Sequence, residues 1–372
     1  MNAERRIRPA TDDDVAVITG IYRSDLPQGK WWSFGGRRRR PASIEELSPF
    51  EQWLNGGAWM NEDYLRVHLK RAADLGHLAL VIEERGSRPA GGSGWIVRGE
   101  IEVYFYREAR PAGAPSGGRP EAGSLVAHIG VLQVERGFFR RGFGGALVRR
   151  ACLEALRRGA YRVTVVSSRD NLPFYRHCGF SQLTPVVTVE GRLSPKAAKG
   201  GDGVNGLNGQ GRPTLIPPPP AIFAEATWPI IAGIHPGPGQ AWFLYSGQPY
   251  PDPEFLAHRL DLSMVDLPEP GGRLPRPSVV SFRQNQIDDG EVIFYCLAAP
   301  RSEGADPSFG GVERAAFGEL VRWARALGYQ RYRTYLTGPD YARLRFAFRM
   351  REAGREFVSQ LRTADLTPGA EE

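Results

Sequence analysis

A chain of 372 residues, 41% apolar and 24% charged, is long enough for two domains at roughly 100–200 residues each, and it excludes a wholly disordered or fibrous polymer. No run approaches the roughly 18 apolar residues of a membrane helix, and Met1 to Pro9 lacks the apolar core of a signal peptide, so a cytoplasmic location with no membrane partner is expected. The net charge is +7, and because Lys30, Lys70, Lys196 and Lys199 are the lysines, 44 of the 48 basic side chains are arginine; guanidinium forks suit phosphate and carboxylate ligands, although a GC-rich genome enriches arginine equally well.

Arg6-Ile7-Arg8 reads as a short strand, and Thr11 with Asp14 three residues on makes a capping-box pattern that carries Asp where Glu is usual. Val15, Ile18, Ile21 and Tyr22 then keep helical spacing. Trp31, Trp32, Phe34, Trp53 and Trp59 follow among glycines and charges; the first three offer walls for an acceptor pocket, but core packing is the expected role. Arg37 to Arg40 form the densest basic run, without aromatic interleaving or a helix-turn-helix pattern, so a solvated loop is expected there and nucleic acid is not an expected partner. Leu78 to Ile82 and Trp95 to Tyr106 read as strands joined by a Gly-rich turn, with a further strand from Ala127 to Val134. Phe143 to Arg158 is an amphipathic helix, with Phe143, Leu147, Ala151, Leu153 and Leu156 inward, and Gly159 stops it. Arg162 to Ser167 reads as a buried strand, and Leu172 to His177 as a short helix before Gly179. Cys152, Cys178 and Cys296 are odd in number and contain no CxxC pair, so neither a disulfide framework nor a metal site is expected.

Residues 191–220 hold seven glycines and six prolines and show neither helical nor strand period, which marks a linker or long loop. It divides the chain into residues 1–190 and 221–372, each with room for its own sheet. The second part repeats the order of the first: Ile293 to Ala298 a strand, Val312 to Leu327 a helix with Phe317, Leu320, Val321 and Ala324 on one face, Tyr332 to Leu336 a strand, and Tyr341 to Met350 a helix. An offset of 169 pairs Gly159 with Gly328, Gly142 with Gly311 and Arg162 with Arg331. Internal duplication is expected, against the alternative of an unrelated mixed domain.

The stretch HIGVLQVERGFFRRGFGGALV, His128 to Val148, carries the chemistry. A buried strand ends near Val134, and Gly142, Gly144 and Gly145 open a helix, where unpaired N–H groups and the helix dipole make an anion site suited to a pyrophosphate. Arg140 and Arg141 add charge beside it. A P-loop is excluded because no lysine follows the glycines, and a dinucleotide fold fits poorly because the third glycine is missing and no acid stands at the end of the next strand until Asp170.

This pattern resembles the GNAT acyltransferase superfamily. VERGFFRRGFGGALV follows the family's V-x-P-x-x-R-x-x-G-x-G spacing, with Val134, Gly142 and Gly144 in place and Phe139 standing where Gln or Arg is customary. NLPFYRHCGF, Asn171 to Phe180, is similar to the family's second segment, with Tyr175 at its tyrosine and Gly179-Phe180 at the following turn. The resemblance covers Arg6 to Val189 and implies an α+β fold, a mixed and mostly antiparallel sheet with helices on both faces, in two tandem copies of which the second is degenerate. In that second copy the offset puts Glu313 on Gly144, Arg314 on Gly145 and Leu344 on Tyr175, so its expected work is packing against the first copy or walling the cleft.

The activity implied is direct transfer of an acetyl group from acetyl-CoA to an amine on a small molecule or peptide. Backbone N–H groups across Phe139, Arg140, Arg141, Gly142, Phe143, Gly144 and Gly145 would hold the CoA pyrophosphate, and Leu132, Gln133 and Val134 would line the thioester, with Asn171 and Tyr175 contributing from the second segment. Tyr175 is the implied acid for the departing thiolate. An alkyl amine of pKa near ~10 needs a base, and His128 occupies the position where histone-type members carry glutamate; a hydrogen-bonded structural histidine is the competing reading, with Glu100, Glu102 and a water chain as fallbacks. The alternative to an enzyme is a non-catalytic acyl-CoA sensor or scaffold. The expected assembly is a monomer with a pseudo-dimeric pair of domains, or a homodimer.

Overall fold

The computed structural model describes residues 4–25, 31–33, 40–74, 76–87, 93–108, 124–193, 215–216, 263–266, 279–284, 290–298, 317–318, 321–322, 324–325 and 328–366. The chain opens with β1 (Arg5–Pro9), then a 3-10 turn, Asp12–Asp14, that leads into α1 (Val15–Asp25). Asp serves in the capping box because this first turn is tight: Asp14 Oδ2 accepts from the Thr11 backbone N–H at 2.8 Å and from its hydroxyl at 3.0 Å, and Arg8 donates to the same carboxylate at 2.7 Å. Next come β2 (Trp31–Ser33), β3 (Arg40–Ala42), α2 (Pro49–Leu54), α3 (Glu62–Asp74), β4 (Leu78–Ser87), β5 (Ser93–Glu108) and β6 (Ser124–Val134). Then follow α4 (Phe143–Arg157), β7 (Arg162–Ser168), α5 (Leu172–His177) and β8 (Ser181–Arg192). Helix α3 goes beyond the sequence expectation; it buries Tyr64, Leu65, His68, Leu69 and Ala72, a helical stripe interrupted in the hydropathy pattern by its histidine.

The later strands are β9 (Leu215–Ile216), β10 (Ser263–Asp266), β11 (Val279–Gln284), β12 (Glu291–Ala298), β13 (Arg331–Thr337) and β14 (Arg351–Arg362). All but β2 and β3 form one mixed sheet in the order β1-β4-β5-β6-β7-β14-β8-β13-β12-β11-β10-β9. α1 and α3 cover one face with Val15, Ile18, Leu65 and Leu69, and α4 covers the other with Phe143, Leu147, Val148, Ala151, Cys152 and Ala155. On α4 the buried stripe is rotated from expectation, leaving Leu153 and Leu156 half-buried, because Val148, Cys152 and Ala155 sit nearer the helix–sheet contact line.

Separate sheets for the two parts are not what forms. β7 and β8, neighbours in sequence, stand apart, and β14 fills the gap, antiparallel to both. β8 also pairs with β13, and the linker expected at 191–220 begins inside structure, since Gly191 and Arg192 are the end of β8 and residues 215–216 form β9; residues 194–214 and 217–220 lie outside the described residues. The order is palindromic: β6–β7 and β12–β13 are the parallel pairs, at matching places from the two ends. Its centre is the pair Glu356↔Val186, 170 positions apart, with Arg351↔Glu190 on one side and Gln360↔Ser181 on the other.

Gly159 and Gly328 both take the left-handed conformation, at φ 79° and 90°. After β13 the correspondence shifts by one, since Phe180 N–H donates to Tyr175 O and Met350 N–H to Arg345 O, both at 2.9 Å. Arg345, not Leu344, therefore stands opposite Tyr175; Leu344 is buried in the core. The last helix spans Gly338–Leu344 and stops short of Met350, because the chain turns through left-handed Arg349 into β14. Of the expected helix at 312–327, the described residues 317–318, 321–322 and 324–325 are helical, with Phe317 and Ala324 buried; Leu320, Gly311, Glu313 and Arg314 lie outside the described residues.

Candidate active site

The parallel ladder between β6 and β7 runs only from Val126↔Arg162 to Ile129↔Val165, while β7 pairs with β14 along the whole of its other edge, so past Ile129 the β7-facing edge of β6 opens into a cleft. A bulge at Gly130 begins that open edge, where Val103 faces Ile129 and Glu102 faces Val131. Ala127, Ile129, Leu132 and Val134 all pack on the α4 side, while Val131 turns to the α1/α3 side, which is the parity change a bulge produces. Only glycine fits at 130, since a Cβ there would meet the Tyr104 ring at 2.1 Å. Leu132, Gln133 and Val134 are half-buried along this edge.

From Val134 the chain makes a 3-10 turn, Arg136–Phe138, and reaches α4 through Arg140 at φ 61° and Gly142 at φ 86°. Phe138 is clamped between the Arg98 guanidinium at 3.9 Å and that of Arg141 at 4.9 Å, with its edge against Phe143 at 5.5 Å. Arg5 lies 4.1 Å over Phe143 and donates to the Arg141 carbonyl at 3.0 Å. Ring and guanidinium contacts thus brace the loop, and Phe139 points outward, 48% exposed. The Gly142 carbonyl accepts from Ala146 N–H at 3.0 Å, which leaves the N–H groups of Phe143, Gly144 and Gly145 without an acceptor inside the helix. Arg140 and Arg141 are exposed beside them. These unpaired N–H groups stand where β6 leads into α4, beside the β6/β7 cleft. A groove of about 1010 Å³ runs on from it along α4, bordered by Gly145, Ala146, Arg149, His177 and Cys178.

α5 brings Tyr175 to the α4 face of the sheet, buried between Phe174 at 5.0 Å and Phe180 at 5.7 Å. Burial first, then Cys178, pushes its hydroxyl above the ordinary tyrosine range, so it keeps its proton and can donate. Asn171 stands at the N-terminal end of α5, exposed and without a side-chain capping bond. His128 lies on the opposite face, buried, with Nδ1 2.9 Å from Thr164 Oγ1. The sheet separates the two side chains.

On the His128 face lies a polar cluster that the sequence named only in part. Glu102 accepts from His68 Nε2 at 2.9 Å, Tyr104 Oη at 2.6 Å and Trp59 Nε1 at 2.8 Å. Burial alone would raise this carboxyl, but His68 and the two other donors outweigh it and hold it below the ordinary glutamate range. Glu100 is fully buried, and burial, then the charge of Glu102, pushes it well above that range. The sequence named Trp59 only within an aromatic stretch and passed over His68 and Tyr104; the alternation Glu100, Glu102, Tyr104 within EIEVY was the available signal, since it puts all three on one strand face. Trp31 is buried in the core as expected, Trp32 is half-buried, and Phe34 lies outside the described residues.

The Glu100 shift carries a stability consequence. Its native pKa exceeds the unfolded value near ~4.3, so the folded state binds the extra proton and stability falls as pH rises through the interval between them, by about 1.4 kcal/mol per pH unit. Glu100→Gln is expected to raise the thermal midpoint at pH 7 by more than at pH 5. Melting curves at the two pH values check this, and equal gaps would count against it.

Residues 43–180 match the model of the family described as Acetyltransferase (GNAT) family, a span that contains both sequence segments. No curated protein matches the chain. Among solved structures, the chain is similar to a GCN5-related N-acetyltransferase from Anabaena variabilis, at TM-score 0.51 and 11% identity, covering 97% of this chain and 73% of that one. It is also similar to a proposed acetyltransferase from Pyrococcus horikoshii, at TM-score 0.50 and 15% identity, covering 96% and 89%. At these identities the likeness is one of fold. No helix among the described residues is long and apolar enough to cross a membrane.

Proposed function

We propose that this chain, whose residues 43–180 form a GNAT acetyltransferase domain, is an acetyl-CoA-dependent N-acetyltransferase acting on an amine of a small molecule or peptide. The observation that carries the reading is the array of N–H groups at Phe143, Gly144 and Gly145, held open by left-handed Gly142 at the mouth of the β6/β7 cleft. These groups, with Arg140 and Arg141, bind the diphosphate; acetyl-CoA supplies the activated acetyl group. Amides on the open edge, Leu132 to Val134, polarise the thioester carbonyl as negative charge develops on it. His128 takes a proton from the amine, exchanging it through Nε2 while Nδ1 stays with Thr164. Tyr175, kept neutral by burial, gives its proton to the departing sulfur.

Calorimetric titration with acetyl-CoA, followed by CoA release across an amine panel, tests the proposal. Tyr175→Phe is expected to lower turnover by roughly 10²-fold with acetyl-CoA affinity unchanged, and full activity in that variant would remove Tyr175 from the acid role. The second reading, a non-catalytic acyl-CoA sensor, draws on exposed Phe139 at the family's usual Gln or Arg position. Acetyl-CoA binding without release of CoA for any amine would favour it.

The second part of the chain is proposed as a degenerate tandem copy, giving a monomer built as an internal pseudo-dimer. The palindromic strand order supports this. Ile293 pairs with Arg333 across β12–β13 where His128 pairs with Thr164 across β6–β7, and Arg345 stands at the place of Tyr175, so this copy lacks the chemistry of the first.

A further inference from the structure

The loop that leads from β6 into α4 holds two left-handed residues, Arg140 at φ 61° and Gly142 at φ 86°, on either side of Arg141. Glycine takes that conformation freely, but an arginine adopts it at a cost and keeps it only where its surroundings fix it. Those surroundings come from outside the loop. On one side Arg98 of β5 lies 3.9 Å over the Phe138 ring. Arg98 is itself tied to Glu135 by a 2.6 Å ion pair and by the Glu135 N–H, which donates to the Arg98 carbonyl at 2.8 Å. On the other side Arg5 of β1 lies 4.1 Å over the Phe143 ring and donates from Nη1 to the Arg141 carbonyl at 3.0 Å. The same nitrogen rests against Gly142, where an added Cβ would stand 3.7 Å from it. A guanidinium plane can face a ring and donate along its edge at the same moment, so one side chain fixes both the Arg141–Gly142 peptide and the first ring of α4. Between them lie the groups that set the direction of the Phe143, Gly144 and Gly145 N–H bonds. Arg5 precedes residues 43–180, so this hold on the loop comes from outside the span that matches the family.

We infer that Arg5 is a positioning residue for the cofactor loop: it fixes the Arg141–Gly142 peptide so that the N–H groups opening α4 converge on a diphosphate, without itself touching the ligand. The inference rests on the acyl-transfer reading above, which supplies the diphosphate. Converging donors bind an anion well when they are oriented before it arrives, because a loop that orders only on binding loses affinity to that cost. Arg5 is built for the task. Its cross-strand partner Glu84 on β4 stands 3.9 Å from Nε and steadies the far side of the guanidinium, and Ile7, on the same face of β1, packs against the core beneath α4. The neighbouring Arg6 turns to the other face of the sheet, where Glu83 accepts from its Nε and the Trp95 ring lies 4.3 Å away. The two arginines carry the same charge one residue apart and hold different partners, so they separate position from charge.

Calorimetric titration of the full chain with acetyl-CoA and with inorganic pyrophosphate, beside hydrogen exchange of peptides covering 136–146, tests this. Arg5→Met keeps an apolar stem over Phe143 but removes the charge and the donor. It is expected to weaken acetyl-CoA and pyrophosphate alike, on the order of 10-fold, and to speed exchange across 139–145 while β5 and β6 keep wild-type protection. Arg6→Met makes the same change in net charge and should leave both affinities and the loop exchange as in the wild type. Equal weakening by Arg6→Met would make the effect one of overall charge, and weaker binding by Arg5→Met without faster loop exchange would make Arg5 a direct phosphate contact. Either result overturns the positioning role, as does unchanged affinity in Arg5→Met. Absence of acetyl-CoA binding by the wild type would instead sink the acyl-transfer reading, with loop exchange in Arg5→Met still deciding whether Arg5 holds the loop.

Discussion

Phe357→Pro is expected to destabilise both parts of the chain together, by about 3 kcal/mol or more. Phe357 lies within β14 and pairs with Ser167 of β7 on one side and Pro185 of β8 on the other. A proline there removes a ladder hydrogen bond from a strand flanked on both edges by β7 and β8, which are spaced to receive a strand between them. The loss is a large share of the 5–15 kcal/mol that a typical domain has in total. Because β14 comes from the C-terminal part yet completes the sheet of the N-terminal part, amide protection in β5 and β12 should fall in parallel in hydrogen exchange, with Phe357→Leu near wild type. Wild-type protection of β5 beside exchange of β12 and β13 would show two independently folding parts and contradict the shared sheet.

Gly144→Leu is expected to weaken acetyl-CoA binding by about 100-fold or more while leaving the protein folded, equivalent to at least ~2.7 kcal/mol. A Cβ at 144 would lie 3.3 Å from the Phe174 ring and 3.8 Å from Val134, so the remaining side-chain atoms have to extend over the helix mouth proposed to hold the diphosphate. Leucine is a better helix former than glycine by nearly ~1 kcal/mol, which offsets the crowding against Phe174. Calorimetry of acetyl-CoA binding beside a thermal melt separates the two effects. Unchanged affinity in a folded variant would displace the cradle from the cofactor site.

The amino-acid order alone determined the features whose physics is local. Glycine spacing ahead of an amphipathic run wrote the start of α4 at Gly142 to Gly145, Thr11 and Asp14 wrote the first cap, and Tyr175 to Phe180 wrote the α5 turn, because each depends on backbone freedom and periodicity within a few residues. Only tertiary structure decided which strand stands beside which. The pattern REFVSQLR is consistent with a strand but carries no address, and its place between β7 and β8 follows from pairing over nearly two hundred residues. The carboxyl cluster is non-local in the same way: Glu102 lies 43 residues from Trp59 and 34 from His68, and those donors hold it below the ordinary glutamate range while burial and the charge of Glu102 push Glu100 above it. Hydrogen-bond satisfaction in a buried site belongs to the packed chain, since no single segment supplies both the group and its partners.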